Sequence, residues 1–511
     1  MTYIRHDINN NPVSPQPGVS TVSDLGGVSG WSTVTYQNYN LDFIARTYNG
    51  LSVREVNSFT ARNIDNTARE PEDYLRHDDT NFPKPKLDLR FALNKSLTDH
   101  ISGNNLITFS RSSTSTYVGA DGLIKTAAVD EPRFDHDFTT GESLGLLIEE
   151  SRTNLFTYSN FSQSTPTSTP TGWLGWNPAT FLTSQTLSPD GVSFGLFHGS
   201  LNQNGGGIRK DLTGLTAGGS YYLTAWVKGL TSEELTYFTN NNAIGTKTGT
   251  ASGAQDVPWF AATKVKIAIG NLSGSGASGN TQITLTQEWQ KLEAAITVDN
   301  AGSVRIIINN NVSDTGTGNQ DGGGTFLIWG AQFEEGAFPS SYIPTTNSTV
   351  TRLPDNAQIT GTNFTSFYNE SNGTAFIQIS TKGESNSLPF QTYFAFNSDG
   401  GNRWGICHRR SASDVIAYVG QSGNFETFSY GSFAVNQSMS IVMHQPNGSS
   451  MQGVKDGGSF QSVNTVKNPN FINNLIIGKQ ISDNSNLNGH IKRFTYMPYR
   501  LPNNTLQSMT S

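Results

Sequence analysis

From residue 87 onward the chain is a succession of short apolar runs separated by polar turns. Residues 144–148, 221–227, 304–308 and 325–329 are rich in Leu, Ile, Val and aromatic side chains, with Gly, Asn or Asp close to each. Short β-branched and aromatic runs with that punctuation predict strands. In the second run, alternation puts Tyr221, Leu223, Ala225 and Val227 on one face and Tyr222, Thr224 and Trp226 on the other. Both faces are partly apolar, so both are expected to meet other structure. Residues 374–380 align Ala375, Ile377 and Ile379 on one face, and 391–396, 404–406, 415–419, 440–443 and 474–478 add further strands. Asp121-Gly122, between β-prone flanks, predicts a tight type I′ hairpin. Long amphipathic helices are almost absent. The expected fold class is all-β, with stacked β-sandwiches.

The N-terminal part reads differently. Asn9 to Gly30 is turn-rich and is expected to be an extended arm. Residues 42–90 hold 8 basic and 9 acidic side chains, whereas only 14% of the whole chain is charged. Arg62, Arg69 and Arg76 recur at equal spacing without an apolar heptad, so no coiled coil is predicted. The two prolines of Asn81-Phe-Pro-Lys-Pro-Lys86 disfavour helix and mark a linker. Residues 1–85 are therefore set apart as an N-terminal arm, whose charges read first as a solvated face and otherwise as an anchor that docks on a partner.

Composition narrows the function classes. The 511 residues carry a net charge of −7 with no clustered Lys/Arg track, which argues against nucleic-acid binding. The single cysteine, Cys407, excludes an intrachain disulfide and a multi-cysteine zinc site. The first residues lack an apolar core, so no signal peptide is expected. No apolar run approaches the roughly 18 residues of a membrane span, so no membrane insertion is expected.

Several residues invite a chemical reading. Glu149-Glu150 and Glu334-Glu335 are adjacent carboxylate pairs, which on strands point to opposite faces instead of flanking one glycosidic bond. Gly191-Val-Ser-Phe-Gly195 matches the esterase elbow in letters, but the residues after it read as strand, not helix. The eight histidines are scattered without His-x-x-x-His spacing. Asp314 and Asp321, in a Gly-rich loop, are oxygen donors suited to a structural calcium, yet their spacing fits no standard loop and an ordinary polar loop is preferred. No cofactor and no catalytic residue are expected. Trp173 and Trp176 flank a polar, proline-bearing loop, and Trp259 follows Pro258. These three are the candidates for a glycan platform, against the competing reading of packed loops or subunit contacts. Trp226, Trp289 and Trp329 lie in strand motifs and are expected in the core.

Three segments resemble bacteriophage and prophage virion proteins of the tail-fibre and head-spike kind. The first joins 87–91 (Leu-Asp-Leu-Arg-Phe), 107–124, Glu131-Pro-Arg-Phe-Asp-His-Asp137 and 145–155. The second runs from Phe326 to Gly336, then through Ser341–Thr346 to Thr351-Arg352, with Ser188-Pro-Asp-Gly191 and Glu288-Trp-Gln-Lys-Leu292 between. The third is 487–501 with 505–510, which resembles the last strand and terminal helix of a concanavalin-A-like or laminin-G-like sandwich, although Pro502 and Thr505 depart from that pattern. The resemblance implies tandem β-sandwiches behind an extended anchor: 1–85 the virion-anchoring region, 86–155 a β-rich framing segment of the first sandwich, 156–352 a carbohydrate-binding-module-like jelly roll, and 353–511 the concanavalin-A/laminin-G-like sandwich. It further implies a non-enzymatic structural protein of the virion, made in the host cytoplasm. Its partners would be other virion proteins through the N-terminal region and a host-surface glycan, with a homotrimer favoured. The alternatives are a capsid- or tail-decorating assembly protein without a receptor role, and a polysaccharide depolymerase.

Overall fold

The computed structural model divides into two compact units, Met1–Lys84 and Pro85–Ser511. Described here are 85–176, 179–200, 206–242, 259–270, 272, 280–298, 302–310, 324–384, 389–398, 401–432, 435–444, 450–464, 467–469, 471–479 and 485–511, with five strands of the first unit. In that first unit Arg5–His6 pairs with Pro12–Val13. A three-stranded antiparallel sheet runs Thr33–Val34, Leu41–Tyr48, Leu51–Ala61. Most of the Asn9–Gly30 arm, and the loop holding Asp314 and Asp321, fall outside the described residues.

The second unit is all-β and consists of two sandwiches, one inserted into the other. The outer sandwich has a seven-stranded sheet in the order Asn424–Ser432, Asp414–Gln421, Arg403–Arg409, Phe390–Asn397, Asn474–Ile477, Asn356–Thr360, Thr108–Ser110. Facing it is an eight-stranded sheet: Phe134–His136, Ser143–Ile148, Gly489–Met497, Thr374–Thr381, Ser438–His444, Ser450–Lys455 and Gln461–Asn464, with Leu87–Leu89 also paired to Gly489–Met497. One core joins them, in which Ile377, Ile379 and Ile441 of one sheet meet Phe394, Trp404 and Leu475 of the other. Such alternation, apolar inward and polar outward, is what the period of two along each strand dictates.

Leu87–Leu89, Thr108–Ser110, Phe134–His136 and Ser143–Ile148 join the sheets of the C-terminal sandwich, not the jelly roll they were expected to open. Leu147 lies opposite His490, and Asp88 opposite Thr495. The hairpin Ser115–Val118/Ile124–Ala127 reaches across to the insert. Its Ile124 packs with Trp226 and Trp329 on the outward side of a jelly-roll sheet, which explains why both faces of the 221–227 run are apolar. The hairpin turn is not type I′. Only Gly122 is left-handed, and its N–H closes on the Gly119 carbonyl at 3.0 Å, a type I turn followed by a glycine.

The inserted sandwich packs two five-stranded sheets. One is ordered Thr180–Leu187, Phe194–Ser200, Gly324–Glu335, Ser220–Gly229, Gln290–Thr297. The other is ordered Leu174–Trp176, Gly207–Leu212, Val304–Asn309, Lys264–Gly270, Asn280–Thr284. Between them lie Leu223, Ala225, Ile267, Ile306 and Ile328. The chain enters through Arg152–Asn154 and leaves through Val350–Arg352, and these two strands pair directly.

Two helices refine the sequence reading. Ser232–Asn241 begins with a capping box, Thr231 and Glu234 each satisfying the other's backbone N–H, and buries Phe238. The terminal helix Asn503–Thr510 has Pro502 at its N-cap, and no side-chain hydrogen bond caps it.

Candidate functional site

The charged residues of the framing motifs converge where insert and outer sandwich meet. The buried Arg133 guanidinium donates to Glu149 at 2.7 Å, Asp355 at 2.5 Å, the Ser341 hydroxyl at 2.9 Å and the Thr116 carbonyl at 3.0 Å. Arg111 donates to Asp355 at 3.2 Å, and Lys382 reaches Glu149 at 3.3 Å. Burial alone would raise the Glu149 carboxyl. Arg352, Lys382 and Arg133 outweigh that and hold it well below the usual range. Glu150 binds Arg152 at 2.6 Å and accepts from the Asn488 amide at 2.9 Å, while Arg152 also donates to the Glu335 carbonyl. Glu334 accepts from the Ser340 N–H and hydroxyl, both at 2.7 Å. Glu149, Glu150 and Glu334 are thus engaged in joining elements of the fold, while Glu335 takes part through its backbone carbonyl and its side chain is exposed. The weld fixes the insert to its host.

The three tryptophans part company. Trp173 is 4% exposed and packs against Phe156 and Phe161 in the insert's core, its indole N–H donating to the Tyr158 carbonyl at 3.0 Å. Trp259 is 5% exposed, edge-on to Phe238. Neither offers a ring face to a ligand, because each is enclosed by other apolar side chains. The loop before Trp173 bonds to itself, Thr171 N–H to the Ser162 carbonyl at 2.9 Å, and so turns the indole inward. Trp173→Ala is expected to cost about 3–5 kcal/mol, read as a lower urea midpoint.

Trp176 alone faces outward. It stands half-buried on the edge strand Leu174–Trp176, with the guanidinium carbons of Arg209 and Arg305 at 5.6 and 5.9 Å from its ring centroid. Register places the rest of that sheet face. Trp176 pairs with Gly207, Gly207 with Asn309, Asn309 with Lys266 and Lys266 with Gln282, one continuous row across five strands. The next row is Leu174, Arg209, Ile307, Ala268 and Asn280. Asp211 grips Arg305 through both carboxylate oxygens, at 2.9 and 3.0 Å, and lies 3.6 Å from Arg209. Ile307 and Asn309 are buried and form the floor. A Cβ on Gly207 would come within 2.7 Å of Ile307 Cγ2, so this point of the floor has room for glycine only. Burial pushes the Lys266 ammonium below its usual pKa.

Sequence reasoning passed over Arg209, Asp211, Arg305, Lys266 and Asn309. Their signal is the polar/apolar alternation of 207–212 and 264–270, which says that one face is outward without saying which residues share it.

Other candidates are accounted for by local structure. A cleft of about 460 Å³ between the sandwiches is lined by Tyr222, Lys291, Glu293, Phe338, Lys382 and Glu384, among others. Its carboxylates are already engaged: Glu293 with Lys291 at 3.0 Å, Glu384 with His408 at 2.9 Å. In the elbow-like motif the Ser193 hydroxyl donates to Asp190, which also accepts from Ser188 and from the Val192 N–H, and the chain runs on into a strand. Among the described residues no group of three or more His, Cys, Asp or Glu is placed to hold a metal. No described helix is long and apolar enough to cross a membrane.

No protein-family model and no curated protein matches the chain. Among solved structures it is similar to the CBM40 of Ruminococcus gnavus IT-sialidase bound to α2,6-sialyllactose, with 13% identity over 28% of this chain and 84% of that one, TM-score 0.23. It is similar also to the receptor binding domain of botulinum neurotoxin C/D mosaic serotype, with 15% identity over 30% of this chain and 40% of that one, TM-score 0.25. A third is botulinum neurotoxin type C, whose cell entry depends on interaction with two ganglioside molecules, with 13% identity over 31% of this chain and 39% of that one, TM-score 0.26. Such partial likeness assigns no function to this chain. What the strand pairing itself defines is an all-β protein of nested sandwiches.

Proposed function

We propose that the chain is a non-enzymatic bacteriophage virion protein, of the tail-fibre or head-spike type, that displays β-sandwiches to a host-surface glycan. Residues 1–84 dock it on the particle, and residues 85–511 are the displayed head. The observation that carries this reading is the insertion itself: the segments that resemble virion proteins supply the weld, so the head is one compact unit distinct from the N-terminal one. A display protein needs that rigidity, and its Gly/Asn/Ser/Thr turns keep the surface wetted with little charge. As a homotrimer, each particle-bound copy would triple the attachment sites and gain avidity without new contacts.

Virions whose copy lacks residues 1–84 are expected to lose the protein, while purified 85–511 still binds host cells. Attachment by virions that lack residues 85–511 would count against the reading. Release of reducing ends from host capsule or lipopolysaccharide by the purified chain would point to a depolymerase instead.

A further inference from the structure

We propose that the outward face of the insert's sheet, centred on Trp176, binds a carboxylate-bearing saccharide. The inference rests on the attachment reading above and names the ligand and its place. The row from Trp176 to Gln282 crosses four interstrand gaps, ~19 Å, the length of a short oligosaccharide. At one end a half-buried indole offers an apolar surface for the C–H face of a sugar ring. Beyond it Gly207 leaves a shallow floor, and the exposed Gln282 stands in the same row for hydroxyl groups.

The charge on this face sets the ligand class. By register, Arg209, Arg305, Lys264 and Lys266 share it with a single carboxylate, Asp211, among the described residues. In a chain of net charge −7 that is a local reversal of sign. Asp211 is taken up by Arg305, whose pKa its hydrogen bonds raise. Arg209 keeps its Nε buried without a hydrogen-bond partner among the described residues, 3.6 Å from Asp211. Lys266 is charged in a partly desolvated position, which a ligand carboxylate would relieve. A neutral saccharide would bring no counter-charge to Arg209 and Lys266. A sugar acid satisfies them while its ring lies on Trp176.

The test titrates the full chain by calorimetry with oligosaccharides of polygalacturonate, hyaluronate and polysialic acid, each bearing carboxylates, and with dextran oligosaccharides as the neutral probe. At least one acidic probe is expected to bind and dextran not to. Trp176→Ala, Arg209→Gln and Lys266→Gln are each expected to weaken that binding about tenfold or more, with unfolding midpoints that show the variants folded. Added salt is expected to weaken it too. Should Trp176→Ala not fold, the two conservative cation variants decide. Equal affinity for dextran, no binding of any acidic probe, or variants that bind like the wild type would overturn the site. Host-cell attachment by the full chain is measured separately with the same variants. Attachment that persists unchanged in all three removes this site and leaves the attachment reading standing, whereas no attachment by the full chain removes the reading itself.

Discussion

Arg133→Met is expected to destabilise residues 85–511 by about 3–5 kcal/mol, because it strands Glu149 and Asp355 as buried charges without their shared partner. The side chain is fully buried, and the two ion pairs it makes, at 2.7 and 2.5 Å, link residues from both ends of the insertion point. Burial disfavours its charge, but Asp355 and Glu149 more than compensate and raise its pKa. Since the same guanidinium also donates to Ser341 of the exit segment and to the Thr116 carbonyl of the hairpin, both sandwiches should lose stability together. The measurement is a urea titration followed by tryptophan fluorescence, where a shift of the whole transition is the expected outcome. Lys125→Ala makes the control. It breaks an ion pair of similar length, 2.7 Å, but between side chains about half exposed, 45% and 47%, so its midpoint should not move measurably. If the two variants behave alike, the weld is not what holds the insert.

The second large effect is a loss of stability in mild acid. Burial pushes His198 and His444 down to about 4, against an ordinary value of 6.5. Below pH 6.5 the unfolded chain takes up protons that the native histidines refuse. Their cost therefore grows as pH falls toward 4, reaching about 3 kcal/mol for each. Glu149 and Asp135 act at still lower pH. In both, burial would raise the pKa, but Arg352, Lys382 and Arg133 lower that of Glu149 and the hydrogen bond from His490 lowers that of Asp135. Their contribution is present above the unfolded values of 4.5 and 3.8 and is lost as pH drops through the native ones. All four point the same way, so stability should be greatest above pH 6.5. Urea midpoints at pH 7 and pH 5 check this. His198→Phe should reduce the difference, because that ring already sits against Phe181 and Phe326 at 5.4 and 4.8 Å. Midpoints equal at both pH values would rule the effect out.

The all-β class was legible because each strand announces itself locally, through alternation and turn residues. The type I′ turn misled because Asp121-Gly122 says only that a glycine is needed, and a five-residue loop meets that need with Gly122 alone left-handed. The framing charges were visible as motifs, but not whom they serve. Glu150 and Asn488 are 338 residues apart, and no local pattern reports such a partner. The tryptophans make the same point at short range. Trp173 and Trp176 lie three residues apart beside one polar loop, yet one is core and the other surface. The loop's own hydrogen bonds decide which, and composition does not register them. The cationic sheet face needed strand register, since Trp176, Arg209, Arg305 and Lys266 come from four different strands.

The insertion also sets an order of events during synthesis. Ser143–Ile148 emerges from the ribosome well before Gly489–Met497, the strand it must lie beside. At ~5–20 residues per second that wait is roughly 20–70 s. Meanwhile the inserted sandwich has all ten of its described strands and can fold at once, bringing Arg152–Asn154 and Val350–Arg352 side by side. A folded insert with adjacent ends shortens the loop that the outer sandwich must later close. Its early strands, Leu87–Leu89 among them, stay exposed until the last C-terminal strand arrives. The outer sandwich is the last part of residues 85–511 to become safe from aggregation, although its first strands are made before any of the insert.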